Sequence, residues 1–358
     1  PEGVRVSFYY GFSSEVGGGE YERESSFSLY ENEVEPHMVG GVSLQEKLDE
    51  LRLTGGVLEI QDNATYSETP VIRLGAGTIL EIRAANQKRA YWQLNGPLLI
   101  EAEEGAELFL NGLIISGGPV VISQALRSCT IRHCTLVPNM EVVNIDELSP
   151  EILTNSKLVI SSDETLVNIE KSIIGGIVFA EGARLVVDDS LIDGGAIESY
   201  SCTGTDDIGG ILVTRNSTFI GRVKIRVMEL ASNGIFLATE QDPLNLEPPI
   251  WVERLQEGCA RFSYFPPGSR VPRPYRCQPT NLQDAPRVRP ILNSKEYGDP
   301  SYGQLSLHTA DEIAKGSDDE SEMGLFHHLY QPQRINNLQI RLSEYLRFGL
   351  EAGIFFES

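Results

Sequence analysis

The chain has 358 residues, and its 51 acidic against 29 basic side chains leave a net charge of −22. A surface this negative repels phosphate backbones and anionic headgroups, and no segment gathers enough Lys or Arg to reverse it, so no nucleic-acid partner is expected. No run of about 18 apolar residues is present to span a bilayer, the N-terminus shows no secretory leader pattern, and the five cysteines contain no CxxC pair, so a cytoplasmic protein is expected.

Residues 1–40 form an aromatic, glycine-rich arm with Phe8, Tyr9, Tyr10 and Phe12 ahead of Gly17–Gly19. Triple glycine suggests a phosphate cradle only when Lys-Ser or Lys-Thr follows in a strand-to-helix frame; neither is present, and a flexible loop is expected. Ser43 to Glu46 then reads as the capping box of a helix over 43–53, with Leu44, Leu48 and Leu51 on one face and Gly55-Gly56 at its end. Strand candidates follow around 57–60, 71–74, 79–83, 91–94, 98–101 and 108–110.

From here the chain carries a weak repeat. Phe109–Gly117, Thr130–Pro138, Asn168–Gly176, Val186–Gly194 and Val213–Gly221 each combine a short β-rich stretch, a polar pair, a small residue or Leu, and two or three apolar residues. Anchored at 113, 134, 172, 190 and 217, with a looser match at 234, the steps are 21, 38, 18, 27 and 17; the 38 reads as two coils of 19 with one coil hidden near Ile152–Ile160. Short strands recurring at roughly 20 residues, with glycines at the bends, predict an all-β parallel solenoid over 41–264. Leu, Ile and Val would stack inside it, Ser, Cys, Asn and Thr would form interior columns, and the 43–53 helix would cover an apolar end.

The helix-Gly-Gly-strand entry followed by such coils resembles the pectin-lyase-like right-handed β-helix family over about residues 40–240. That resemblance implies a right-handed coil and raises a carbohydrate-active alternative. Asp188, Asp189, Asp193, Asp206 and Asp207 are the aspartates on the repeats that would serve as acid and base. Gly204 to Asp207 resembles the hydrolases' Gly-Asp-Asp element, but no Gly-His-Gly follows, no Asn-Thr-Asp precedes, and Arg222-Val-Lys224 only faintly matches their Arg-Ile-Lys. Asp and Gly at bends are also ordinary turn chemistry.

Beyond the repeats, Arg261 leads into a strap over 265–300 that starts with Phe265, Arg270, Arg273, Tyr275 and Arg276 among prolines. Proline fixes φ and withholds a donor, so an extended non-sheet segment is expected, lying on the molecule itself or on a partner. Residues 301–358 form a C-terminal docking segment. Tyr330 precedes a helix over 332–348 with Leu338, Leu342, Tyr345 and Leu346 on one face, and the tail carries Phe355 and Phe356. No cofactor or metal is expected. Alternation puts Cys129, Ile131 and His133 on one strand face and Cys134 on the other, and the adjacent His327 and His328 cannot turn both rings to one side of a helix.

Tyr10–Arg23, Gln256–Arg270, Glu322–Arg334 and Leu342–Phe355 are together similar to segments of β-helix-containing components of bacterial contractile, phage-tail-like injection systems. This resemblance implies a non-enzymatic particle component, in the baseplate or attached to it as an accessory. Its partners would be other protein subunits, with a glycan as the alternative ligand and no direct membrane span. Such a protein would be cytoplasmic and assembled into a particle that is released or membrane-associated.

Overall fold

The computed structural model describes residues 14–28, 37–39, 43–123, 126–138, 156–196, 199–239 and 247–349; Phe8, Tyr9, Tyr10, Phe12, Phe355 and Phe356 lie outside them. The described chain is mostly strand, with every strand-to-strand ladder parallel, consistent with an all-β parallel solenoid.

Three ladders alternate along the chain. In the first, Leu58, Ile82, Leu110, Ile131, Ile169 and Val187 stand in successive register. In the second, Leu98, Val120, Leu158, Ile177, Cys202, Val223 and Ile250 do so. In the third, the inward column is Trp92, Ile115, Leu136, Ile174, Ile192, Phe219 and Phe236. All of these side chains are buried in one core. One coil cannot bury its own apolar face, so each Leu or Ile contributes its roughly 1.5–3 kcal/mol of burial only when a neighbouring coil is stacked on it.

The repeat seen in the sequence is a bend. At the same point of successive coils, Gly112, His133, Lys171, Asp189, Asn216, Asn233, Phe262 and Arg276 have φ between 44° and 72°, the left-handed region. The N–H groups of all but Arg276 donate to the next coil, as Lys171 N does to Asp188 O at 3.1 Å and Asp189 N to Arg215 O at 3.2 Å. Asn and Asp tolerate this conformation better than other non-glycine residues, and here Asn233 donates to Asn216 and Asn216 to Asp189 along the column. Gly112 is glycine for an additional reason: a Cβ there would stand 2.6 Å from the guanidinium of Arg23.

The residue after each bend points inward. Cys134 N donates to Ser172 Oγ, Ser172 N to Ser190 Oγ, Ser190 N to Ser217 Oγ and Gly234 N to Ser263 Oγ, at 3.0–3.2 Å. The bend also resets strand alternation, so Cys134 faces the same core as Cys129 and Ile131 and not the opposite side, while His133 occupies the bend itself.

Three further expectations change. The step of 38 is a single coil: Ile131 pairs directly with Ile169, and Val120 with Leu158, so no coil intervenes and Ser156–Ile160 is a strand of the second ladder. The ladders also run past residue 264. Arg270 bridges Trp251, Tyr275 pairs with Arg261 and Gln278 bridges Tyr264, which makes the Pro/Arg segment to Gln278 a further coil. Proline is tolerated there because no described strand pairs beyond it to demand its missing donor. The helix is Leu44–Leu51, with its three leucines in the core, but Ser43 makes no side-chain cap. Glu68 instead accepts from Ser43 Oγ and Leu44 N, because its carboxylate comes round from the first coil to the positive end of the helix.

The outward face of the third ladder is apolar and is covered by the chain's own ends. Val16, Tyr302, Leu325 and Phe326 pack on Ile173, Leu191 and Ile220, while Val288, Ile313 and Met323 pack on Ile235 and Tyr264. Gly17 N donates to Lys171 O and Gly18 N to Thr135 Oγ1. Gly17–Gly19 is therefore a backbone laid flat on the sheet and not a free loop: a Cβ at Gly18 would meet Ile114 at 2.4 Å. Tyr302, Ile313, Met323, Leu325 and Phe326, all within the segment expected to dock, belong to this intramolecular cover.

Candidate functional site

The five aspartates are distributed over different elements, and four of them are held by local partners. Asp188 ends a strand of the first ladder and faces Arg215 at 3.3 Å; burial raises its pKa. Asp189 occupies the bend and accepts from Asn216. Asp193 belongs to the third ladder, is buried under the C-terminal cover, and accepts from the Tyr302 hydroxyl and from Gly195 N; burial raises its pKa too. Asp206 and Asp207 lie in the exposed turn before Gly209–Arg215, and Asp207 pairs with Lys224 at 2.7 Å. Burial and pairing account for Asp188, Asp189, Asp193 and Asp207, and Asp206 is an exposed turn residue.

Among the described residues, one set of three or more His, Cys, Asp or Glu side chains converges closely enough to hold an ion: Asp318, Asp319 and His327, within 4.8 Å of one another. His327 is buried, its Nδ1 lies against Ser321 Oγ, Ser317 Oγ and Glu322 O, and its Nε2 is 3.4 Å from Asp319. The same geometry is that of a histidine–carboxylate contact within the turn. His328 goes elsewhere, to Ser14 Oγ at 2.6 Å.

Among the described residues expected at an interface, the exposed ones lie at two places. On the late coils Arg261, Arg270, Arg273, Tyr275 and Arg276 are exposed, with Arg270 5.4 Å from the Trp251 ring and Arg276 against Phe262 and Tyr275. Phe265 is not part of this surface, because it stacks on Phe236 inside the core at a centroid distance of 4.8 Å. The second place is the helix Gln331–Tyr345, ending three residues earlier than expected, with Pro332 in its first turn and Tyr330 before it in the left-handed conformation. None of its residues is buried; Leu338, Ile340 and Tyr345 are exposed, Leu342 and Leu346 are partly covered, and Phe348 beyond it is fully exposed. Its apolar side chains contrast with residues 323–326, which are buried on the solenoid.

Two concavities adjoin through Tyr297 on the flank of the third ladder. One, of about 750 Å³, is lined by Tyr21, Arg89, Asp299 and Tyr302 among others, and the other, of about 630 Å³, by Tyr91, Lys295 and Glu296. Sequence reasoning missed these because they form where the arm and residues 295–302 cross coils distant in the chain. No helix among the described residues is long and apolar enough to cross a membrane. Comparison of the chain with protein-family models, with curated proteins and with solved structures gave no match.

Proposed function

We propose that the chain is a non-enzymatic assembly component of a contractile, phage-tail-like particle, built on a right-handed coil whose end is closed by the Leu44–Leu51 helix. The observation that carries this reading is the unburied helix Gln331–Tyr345 directly after Met323, Leu325 and Phe326, which are packed on the solenoid. An apolar helix face left in water loses burial energy at about 25 cal/mol per Å² and regains it on a partner. The arginine and tyrosine surface of the late coils supplies residue types that favour interfaces. Particle identity rests on the segment resemblances.

Truncation after Tyr330 tests this. The cut spares Met323, Leu325 and Phe326, so the coils should unfold as before while incorporation into particles is lost. A truncated chain that still co-purifies with particles overturns the proposal. The tyrosines of the paired concavities favour a second reading, glycan binding, which predicts oligosaccharide affinity that Tyr297→Ala abolishes.

A further inference from the structure

Glu322 lines a cavity of about 500 Å³ between the cover segment and the first turns of the last helix. Its walls are apolar at Leu305, Phe326, Leu329 and Ile335 and polar at Gln304 and Gln331. Glu322 is only 8% exposed, and among the described residues its carboxyl has no hydrogen bond or ion pair. Burial alone raises its pKa to about 7. A largely buried carboxyl without a counter-charge is disfavoured in its charged form. A cation entering the cavity would supply that counter-charge.

Of the residues outside the described ones, Arg5 is the one basic side chain. The net charge of −22 favours a cationic visitor from outside, and the helix that contributes Gln331 and Ile335 to the wall is the one whose apolar side chains are unburied.

We propose that this cavity receives an arginine or lysine side chain of a partner protein, with Glu322 as its counter-ion and the apolar walls around its methylene stem. The partner's origin rests on the assembly reading; the pocket chemistry does not. Calorimetry on the full chain at about pH 8 tests it with three probes: acetyl-arginine amide, acetyl-lysine amide and the neutral isostere acetyl-citrulline amide. A basic probe should bind, citrulline should not, and Glu322→Gln should weaken the basic probe at least about tenfold. Lowering the pH from about 8 to about 6 should weaken binding by roughly tenfold, because the acid must ionise to pair. His308 also lines the cavity and His327 Nδ1 lies against Glu322 O, so the pH series is repeated in His308→Gln.

Equal affinity of wild type and Glu322→Gln, or no binding of either basic probe at about 10 mM, overturns the proposal. Arg5→Ala should leave probe binding unchanged; a gain would show that Arg5 already occupies the pocket and would also overturn it. Retained particle incorporation of Glu322→Gln, with loss on truncation after Tyr330, would sink this inference alone and leave the assembly reading standing.

Discussion

The backbone N–H of Ser172 donates to the hydroxyl of Ser190, one coil later, at 3.0 Å, and that hydroxyl in turn donates to Asp188 O at 2.7 Å. Ser190 is fully buried. The column to which it belongs joins Cys134, Ser172, Ser190 and Ser217, so a set of small polar residues inside an apolar core holds successive coils in register.

Ser190→Ala should leave the Ser172 N–H without a partner and cost about 1–3 kcal/mol, the usual penalty for a buried orphan donor. Ser190→Cys, which copies Cys134, should cost less. Urea unfolding of the two variants checks the order; equal midpoints would remove the hydroxyl from the account.

The thiols offer a second test. Cys129, Cys134 and Cys202 are buried, and burial pushes the thiols of Cys129 and Cys134 up to about 12. The native chain should therefore show at most two thiols to Ellman's reagent, Cys259 and Cys277, against five after denaturation. Rapid labelling of Cys129 or Cys134 in the native state would contradict the interior placement.

Arg83 lies 2.9 Å from Glu59 and 3.5 Å from Glu81, all three buried, under the Phe27 ring at 4.0 Å. Arg83→Met should take the counter-charge from two buried carboxylates, although Glu81 keeps the Ser28 N–H and Glu59 keeps Gln61, and cost about 3–5 kcal/mol. Because Phe27 loses its cation, limited proteolysis of the arm should also accelerate. An unchanged digestion pattern would separate the arm from this cluster.

Glu322 gives a pH signature. Its folded pKa of about 7 exceeds its ordinary 4.5, so the folded state binds the extra proton; this contribution is complete below pH 4.5 and is lost as pH rises to about 7. Glu322→Gln should flatten that slope and gain on the order of 3 kcal/mol near pH 8. Chemical denaturation across the window, with His308→Gln as control, reads the sign directly; a parallel slope in both proteins would refute it.

Much of the solenoid was legible because its bend is written in local chemistry. The polar pair before Ser172, Ser190 and Ser217 marks a left-handed residue followed by an inward hydroxyl, and the anchors read from sequence coincide with that column. The long coil misled because an even division of 38 looks like a period, whereas only the direct pairing of Ile131 with Ile169 shows one coil. The Pro/Arg segment misled because proline argues against strands in general but not against a strand with no described neighbour beyond it. The contacts of Tyr302 with Asp193 and of Arg23 with the backbone of Ala85 and Lys88 join residues far apart in sequence, and no local pattern encodes them. Leu338 and Tyr345 were legible as an apolar helix face, and their lack of cover only from the structure.

The most direct test of the assembly role is a photo-crosslinking residue placed at Tyr345, with Leu53, exposed on the solenoid, as the control position. In cells that make the particle, irradiation should join position 345 to another polypeptide of that particle, identifiable by mass spectrometry, and position 53 should not give that product. Crosslinks from position 345 confined to its own chain, or identical products from both positions, would contradict the proposal that the last helix is the docking element.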